Sequence, residues 1–168
     1  MSPAQREQGS LRCHVPIDLD RLATRASPAV AWVLRSPFHG LLSRGLMLLT
    51  VTGRRSGRRY QIPVGYQRAG AAITVLVSKA GRKRWWRNYR SAAPVELLVR
   101  GERLRGEARV VPADTTEFRD AVEETFRRMP WLARQFGIVY RRGRRLDAAE
   151  WQTVAGQAAV VRIALDPP

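Results

Sequence analysis

The sequence contains few residues that bind metals or form disulfides. Cys13 is the single cysteine of the 168-residue chain, so neither a disulfide within the chain nor a cluster of thiolate ligands can form. The two histidines, His14 and His39, have no acidic residues at ligand-like spacing, and no Ser-His-Asp or Cys-His arrangement is present. The sequence therefore predicts no metal site and gives no sign of a protein nucleophile.

Long hydrophobic runs are also absent. The most apolar stretch, residues 28–51, is interrupted by Arg35, Pro37 and Arg44, whereas a membrane-spanning helix needs about 20 mainly apolar residues. Residues 1–16 are polar and lack the apolar centre of a secretory signal. We therefore expect a cytoplasmic protein that begins with a disordered tail over residues 1–16.

Acidic residues and lysines are scarce beside arginine. Lys plus Arg number 30 against 14 Asp plus Glu, which gives a net charge of +16, and only Lys79 and Lys83 are lysines. Residues 50–110 alone contain 15 basic and three acidic residues, or +12 of that charge. The planar guanidinium of Arg suits phosphate and carboxylate groups, so the composition predicts an anionic partner, with an ordinary solvated basic face as the alternative. Because 45% of the chain is hydrophobic, a disordered basic tail is excluded.

Hydrophobic periodicity and turn residues predict a small, mostly antiparallel barrel with helices packed outside. After a segment of short helices over residues 17–45, the barrel domain spans residues 46–168. Its predicted strands cover residues 46–52, 58–66, 72–78, 95–100, 103–111 and 158–165. Pro63 and Gly65 place the second strand at an edge or a bulge, and residues 67–70 form a turn.

Three helices are predicted between these strands. A short one covers residues 85–92, and a longer one begins at the Asp114-x-x-Glu117 motif and ends near Arg128. Its Phe118, Val122 and Phe126 share one face, and Pro130 separates it from a third helix over residues 131–140. The order of strands and helices does not alternate, so a doubly wound parallel sheet is disfavoured.

Two basic segments are candidates for anion binding. In the turn Thr52-Gly-Arg-Arg-Ser-Gly57, backbone N–H groups can converge on one anion; an ordinary hairpin turn is the alternative, and the turn lacks the Lys of a Walker A motif. Residues 79–90 mix cations with Trp85 and Trp86, as in proteins that stack nucleobases. Alternatively, these tryptophans close the barrel core.

Five short motifs follow one another over residues 46–111: LLTVTGRRSG, IPVGY, VLVSKAG, WWRN and APVEL. Together they resemble the deazaflavin-dependent nitroreductase and quinone reductase family of actinobacteria. The resemblance implies a split β-barrel, like the FMN-binding barrels, that uses coenzyme F(420), an 8-hydroxy-5-deazaflavin with a phosphate and an acidic oligoglutamate tail. It implies an oxidoreductase that transfers a hydride from this coenzyme to a quinone-like or nitroaromatic small-molecule acceptor.

The resemblance also implies which residues contact the coenzyme and its acceptor. Tyr140 lies on the substrate side, since it is the only tyrosine in the segment MPWLARQFGIVY, which replaces a tyrosine-rich segment of the family. Gly65 stands where family members often carry a bulkier aromatic residue. The implied coenzyme-binding residues are Arg54, Arg55, Ser56 and Gly57 at the phosphate and tail, then Arg59, Pro63, Ser78, Lys79, Trp85, Trp86 and Asn88.

Alternatives remain open for both function and partners. An FMN-using relative has a similar barrel, but FMN has one phosphate and no acidic tail to match the arginines. A barrel that carries a cofactor or a lipid without turnover is another alternative. A barrel that binds nucleic acid is disfavoured because no known nucleic-acid-binding motif accompanies the basic patch. The apolar side chains of residues 17–45 predict a homodimer contact, a peripheral contact with the inner face of the membrane, or a cap on the barrel.

Overall fold

The structure, a computed structural model, describes residues 45–53 and 57–167. The described strands are β1 (Leu46–Thr52), β2 (Arg59–Gly65), β3 (Gln67–Ala69), β4 (Ala72–Val77), β5 (Ala93–Val99), β6 (Glu102–Val111) and β7 (Ala159–Leu165). The described helices are α1 (Thr116–Arg128), α2 (Pro130–Ala133), α3 (Ala148–Gln157) and two 3-10 helices, Trp85–Tyr89 and Arg134–Phe136. The predicted tail over residues 1–16 and, except for Gly45, the helical segment over residues 17–45 lie outside the described residues.

The seven strands form one antiparallel sheet in the order β2-β1-β5-β6-β7-β4-β3. Its two edge strands, β2 and β3, are consecutive in the chain and separated only by Tyr66. A sheet whose opposite edges are joined by one residue has to curl, so β2 comes to face β4 across a gap in the barrel. The antiparallel split β-barrel with flanking helices is confirmed, and so is the edge position of the strand that contains Pro63.

Two apolar clusters hold this fold together. Side chains that alternate along the strands fill the barrel, as expected for a sheet with one buried face. The second cluster packs α1 against the outside of the sheet through Phe118, Val122 and Phe126, which share the predicted face. The interior of the barrel contains, among others, Met47, Leu49, Val51, Ile73, Val75, Val77, Leu97, Val161 and Ile163.

The start of α1 differs from the prediction by one residue. Thr115, not Asp114, is the N-cap: its Oγ1 accepts a hydrogen bond from the Phe118 N–H at 3.2 Å. The same hydroxyl donates to the Pro112 carbonyl at 2.7 Å, which ties the cap to the end of β6. Both Asp and Thr suit an N-cap, so the sequence alone could not distinguish the two positions.

Three further predictions were wrong in detail. Residues 67–70 were expected to be only a turn, but β3 pairs Gln67 with Thr74 and extends the sheet. The helix expected over 131–140 is instead α2 followed by a 3-10 helix, and it ends at Gly137 because this residue has a φ of +74°. Helix α3 was not predicted, although Asp147 and Glu150 form a capping box at its start.

Candidate active site

A cavity of about 560 Å³ lies in the gap of the barrel, between β2 and β4. Its volume falls within the roughly 300–1,000 Å³ that is usual for small-molecule and cofactor sites. The described wall contains no Asp, Glu or His, so it offers no carboxylate or imidazole for acid–base catalysis. The wall is formed by residues 45–46, 60–67, 74–78 and 82–85 together with Thr125, Met129, Trp131, Leu132 and Gln135.

The β2 wall of the cavity is apolar. Ile62 and Pro63 are buried there, and Val64 is half-buried. Because β2 is an edge strand, the backbone groups on its side away from β1 have no partner strand in the described sheet. This wall therefore offers both an apolar surface and backbone hydrogen-bonding groups to a flat ring.

Cations border the β4 end of the cavity. We call Arg82, Lys83 and Arg84 the basic loop; all three line the cavity. Lys83 Nζ lies 3.4 Å from Ser78 Oγ, to which it donates, and Ser78 itself is only 4% exposed. Lys79, which was also predicted to contact the coenzyme, does not line the cavity. It adopts a φ of +50°, and its carbonyl accepts a hydrogen bond from the Arg82 N–H at 2.9 Å.

The 3-10 helix Trp85–Tyr89 supplies one aromatic side chain to the cavity. Trp85 lines the wall and meets the ring of Tyr89 edge-on, with ring centroids 6.3 Å apart. Trp86 points elsewhere: its Nε1 donates to the Ala80 carbonyl at 2.9 Å, and the guanidinium groups of Arg87 and Arg90 lie over its ring. Trp86 therefore holds the loop that carries the cations and does not line the cavity.

Asn88 acts on the cavity through Tyr60. Its side chain is hydrogen-bonded to the phenol of Tyr60, which lines the wall. Burial raises the pKa of Tyr60, and the hydrogen bond with Asn88 opposes that rise. Burial, with a smaller contribution from Tyr60, raises the pKa of the neighbouring Tyr89 to about 12. Both phenols are therefore neutral near pH 7, and Tyr60 keeps its proton as a hydrogen-bond donor.

The predicted anion-binding turn lies at the end of the β1–β2 hairpin. Arg54, Arg55 and Ser56 lie outside the described residues. Gly57 has a φ of +62°, and its N–H donates to the Gly53 carbonyl at 2.8 Å, which closes the turn. The guanidinium of Arg59 forms an exposed ion pair with Glu96 on β5 and does not line the cavity.

The other end of the cavity is formed by residues around α2, which the sequence analysis did not identify. Trp131 and Leu132 line it, and the Gln135 side-chain oxygen is buried without a hydrogen-bond partner among the described residues. Tyr140, the predicted substrate-side residue, packs instead on Phe126 in the second apolar cluster, with ring centroids 5.8 Å apart. The sequence analysis predicted a helix after Pro130 but gave it no role in the site; Trp131, an aromatic residue at the start of that helix, is the signal that could have pointed to one.

The sequence profile of the F(420)H(2)-dependent quinone reductase family matches residues 36–130, more than half of the chain. The chain belongs to this family. It is therefore an F(420)-dependent oxidoreductase, as the resemblance implied. No curated protein matches the chain.

Solved structures agree with this family at the level of the fold. An F(420)-H2 dependent reductase is 19% identical, with a TM-score of 0.51, and the match covers 71% of this chain and 94% of that protein. A protein described as a domain-swapped dimer is 18% identical, with a TM-score of 0.52, and the match covers 83% of this chain and 96% of that protein. At these identities, the two structures support the split barrel.

The cavity suits the coenzyme of the F(420)H(2)-dependent quinone reductases. A deazaflavin is a flat ring with an anionic side chain, and here an apolar wall ends at the cations of the basic loop. Gly65 enlarges the cavity further, since a Cβ built on it would meet only the Gly45 carbonyl, at 3.7 Å.

Among the described residues, no group of metal-ligating side chains is found, and none of the helices is long and apolar enough to span a membrane.

Proposed function

We propose that the cavity between β2 and β4 is the F(420) site of this quinone reductase and that the acceptor enters beside α2. The observation that carries the proposal is the polarity of the cavity: the apolar wall around Pro63 ends at the cations of the basic loop. An aromatic ring gains most by burial against the first region, whereas phosphate and carboxylate groups gain most beside the second. FMN, with its single phosphate, would form fewer contacts with these cations.

Residues from separate parts of the chain would hold the coenzyme. Pro63 and Trp85 would contact the ring, and Ser78 with Lys83 would supply polar contacts at the end of β4. In the sequence, Arg54, Arg55 and Ser56 follow Thr52, the last residue of β1, and precede β2, which supports their assignment to the Tyr60 end of the cavity. These residues and the basic loop therefore suit the phosphate and the oligoglutamate tail, with Gly57, Arg59 and Lys79 nearby.

The reduced coenzyme supplies a hydride when it is bound, so this chain needs no nucleophile of its own. Its residues bind the two reactants and exclude water from the reacting faces. The guanidinium groups of the basic loop stabilise negative charge on the bound reactants, and the neutral Tyr60 phenol is available to donate a hydrogen bond to them. On the acceptor side, Trp131 and Leu132 provide an apolar surface for a quinone ring.

A fluorescence titration with oxidised F(420) and with FMN tests the coenzyme assignment. We expect F(420) to bind at least about tenfold more tightly than FMN, since charge-assisted hydrogen bonds contribute roughly 1.5–3 kcal/mol each. Arg54→Ala and Arg55→Ala should weaken F(420) binding, whereas Arg142→Ala, an exposed site outside the cavity wall, should not. Tight binding of FMN alone would move the protein to the flavin-dependent alternative, and binding of neither would exclude both.

Assembly is a separate proposal. One fold relative is a domain-swapped dimer, which supports a homodimer for this chain. Sedimentation equilibrium of the full chain tests it, and a monomer at micromolar concentration would contradict it. The predicted membrane contact concerns residues 17–45 and stays a prediction.

A further inference from the structure

A second cavity, of about 600 Å³, adjoins the candidate active site. The two cavities share the wall residues Gly45, Tyr66, Gln67 and Met129. The remaining wall of the second cavity contains three arginines, Arg68, Arg100 and Arg128, which we call the distal arginine cluster. The described wall of this cavity contains no acidic residue.

Within residues 45–53 and 57–167, one of the three arginines of the cluster forms an ion pair. Arg128 is paired with Glu124, which also holds Arg127. The Nε of Arg68 donates to the Gly70 carbonyl at 3.1 Å, and no described carboxylate forms an ion pair with Arg68. For Arg100, the described residues provide no ion pair. Three arginines that line one cavity, with a single ion-paired carboxylate between them among the described residues, form a site that favours an anion.

Arg100 occupies this position against its backbone preference. It forms the two-residue turn between β5 and β6 with Gly101, and both residues have a positive φ, +51° and +83°. Such turns favour Asn or Asp followed by Gly, because the left-handed region strains most other side chains. The turn would be more stable with Asn, so the presence of Arg suggests a role for its charge.

The cluster lies at the opposite end of the site from the residues proposed for the coenzyme's phosphate and tail. Gly45 and Arg100 adjoin the first residue of β1, whereas the turn containing Arg54 and Arg55 follows its last residue, Thr52. A seven-residue strand separates these ends by about 20 Å. An anion bound at the cluster is therefore a second one, beside the acceptor end of the cavity.

We infer that the distal arginine cluster binds an anionic substituent of the acceptor, so that the enzyme selects quinones that carry a sulfonate, carboxylate or phosphate group. This inference rests on the proposed function, because it assumes that the ring of the acceptor lies beside α2. The cluster takes no part in hydride transfer; it contacts the substituent and lowers the KM. The closest chemical alternative is that the same cations bind the coenzyme's tail.

The test compares two acceptors with the same anthraquinone ring, one with a charged and one with an uncharged 2-substituent: anthraquinone-2-sulfonate and its 2-hydroxymethyl analogue. With F(420)H2 as the reductant, we expect the KM of the sulfonate to be lower by about tenfold, the effect of roughly one charge-assisted contact. Arg100→Asn removes the charge and suits the turn, so this variant should melt no lower than the parent protein. It should raise the KM of the sulfonate and leave the KM of the neutral analogue unchanged.

The matched control is Arg103→Gln, which removes the same charge from the same hairpin at an exposed position outside both cavities. This variant should discriminate between the two acceptors as the parent protein does. Binding without the coenzyme is measured by quenching of tryptophan fluorescence with anthraquinone-2-sulfonate, with inorganic phosphate as a competitor. Arg100→Asn should weaken this binding as well.

The outcomes separate the two proposals. If both quinones are reduced with the same KM, the proposed function stands and this inference is overturned. If neither is reduced but the sulfonate binds in an Arg100-dependent manner, the anion site stands and the proposed function fails. If Arg100→Asn weakens the binding of F(420) and leaves the sulfonate unaffected, the cluster belongs to the coenzyme and the inference is overturned.

Discussion

At Gly106 on β6, the backbone of β7 leaves no room for a side chain. A Cβ built on it would lie 2.2 Å from the Ala164 carbonyl oxygen, and the neighbouring backbone would also be too close. Because backbone atoms cannot move aside as the end of a flexible side chain can, Gly106→Ala has to push β6 and β7 apart. We expect it to lower the free energy of unfolding by about 2–3 kcal/mol, as measured by urea denaturation.

Gly156 provides the control for this prediction. It lies in α3, and a Cβ built on it would meet nothing within 4 Å. Gly156→Ala should therefore raise the free energy of unfolding by about 0.5–1 kcal/mol, since Ala is a better helix former. Equal destabilisation by both substitutions would show that the contact with Ala164 is not the cause.

At the scale of elements, the N-cap of α1 is Thr115 and not the neighbouring Asp114, and two substitutions test this assignment. Thr115→Ala removes both the hydrogen bond to the Phe118 N–H and the one to Pro112. We expect a loss of about 1 kcal/mol in the free energy of unfolding, the usual cost of a lost N-cap. Asp114→Ala, one residue earlier, should change stability by only a few tenths of a kcal/mol. A larger loss with Asp114→Ala in thermal or urea denaturation would contradict the assignment of the cap.

The elements that the sequence predicted well are those whose burial pattern is local. β4 and β7 are short runs of mainly apolar and β-branched residues, interrupted in β7 only by Arg162, and α1 has its apolar face at helical spacing. β3 is only three residues long and forms because β4 is there to pair with it. Such pairing is a long-range effect that no local pattern reports.

The same difference between local patterns and long-range packing explains which residues of the site the sequence predicted. Pro63, Ser78 and Trp85 lie in motifs whose order resembles the family, and all three line the cavity. Trp131 and Gln135 join them because α2 and the 3-10 helix after it lie beside the cavity, a placement that depends on tertiary packing. Tyr140 was implied only by the resemblance to a tyrosine-rich segment of the family, and it packs on Phe126 in the helical cluster.

At the scale of the whole molecule, acidic residues are placed away from the cavity. Several described glutamates pair with arginines on the outer surface: Glu96 with Arg59, Glu117 with Arg109, and Glu150 with Arg144. In this chain of net charge +16, the cations around the cavity have no acidic neighbour in the described part of its wall. This arrangement concentrates positive potential at the site, which attracts anionic ligands over a distance.

This distribution of charge predicts how salt affects coenzyme binding. The dissociation constant of F(420) should rise more steeply than that of FMN between about 0.05 and 0.5 M NaCl, since exposed charge pairs are screened beyond a Debye length of about 10 Å at 0.1 M. The acidic tail adds exposed pairs with the arginines, whereas the burial of the ring responds little to salt. A deazaflavin with the phosphate but without the oligoglutamate tail provides the control, and its slope should approach that of FMN. If the dissociation constants of all three ligands depended equally on salt, the arginines would attract anions in general and would not contact the tail.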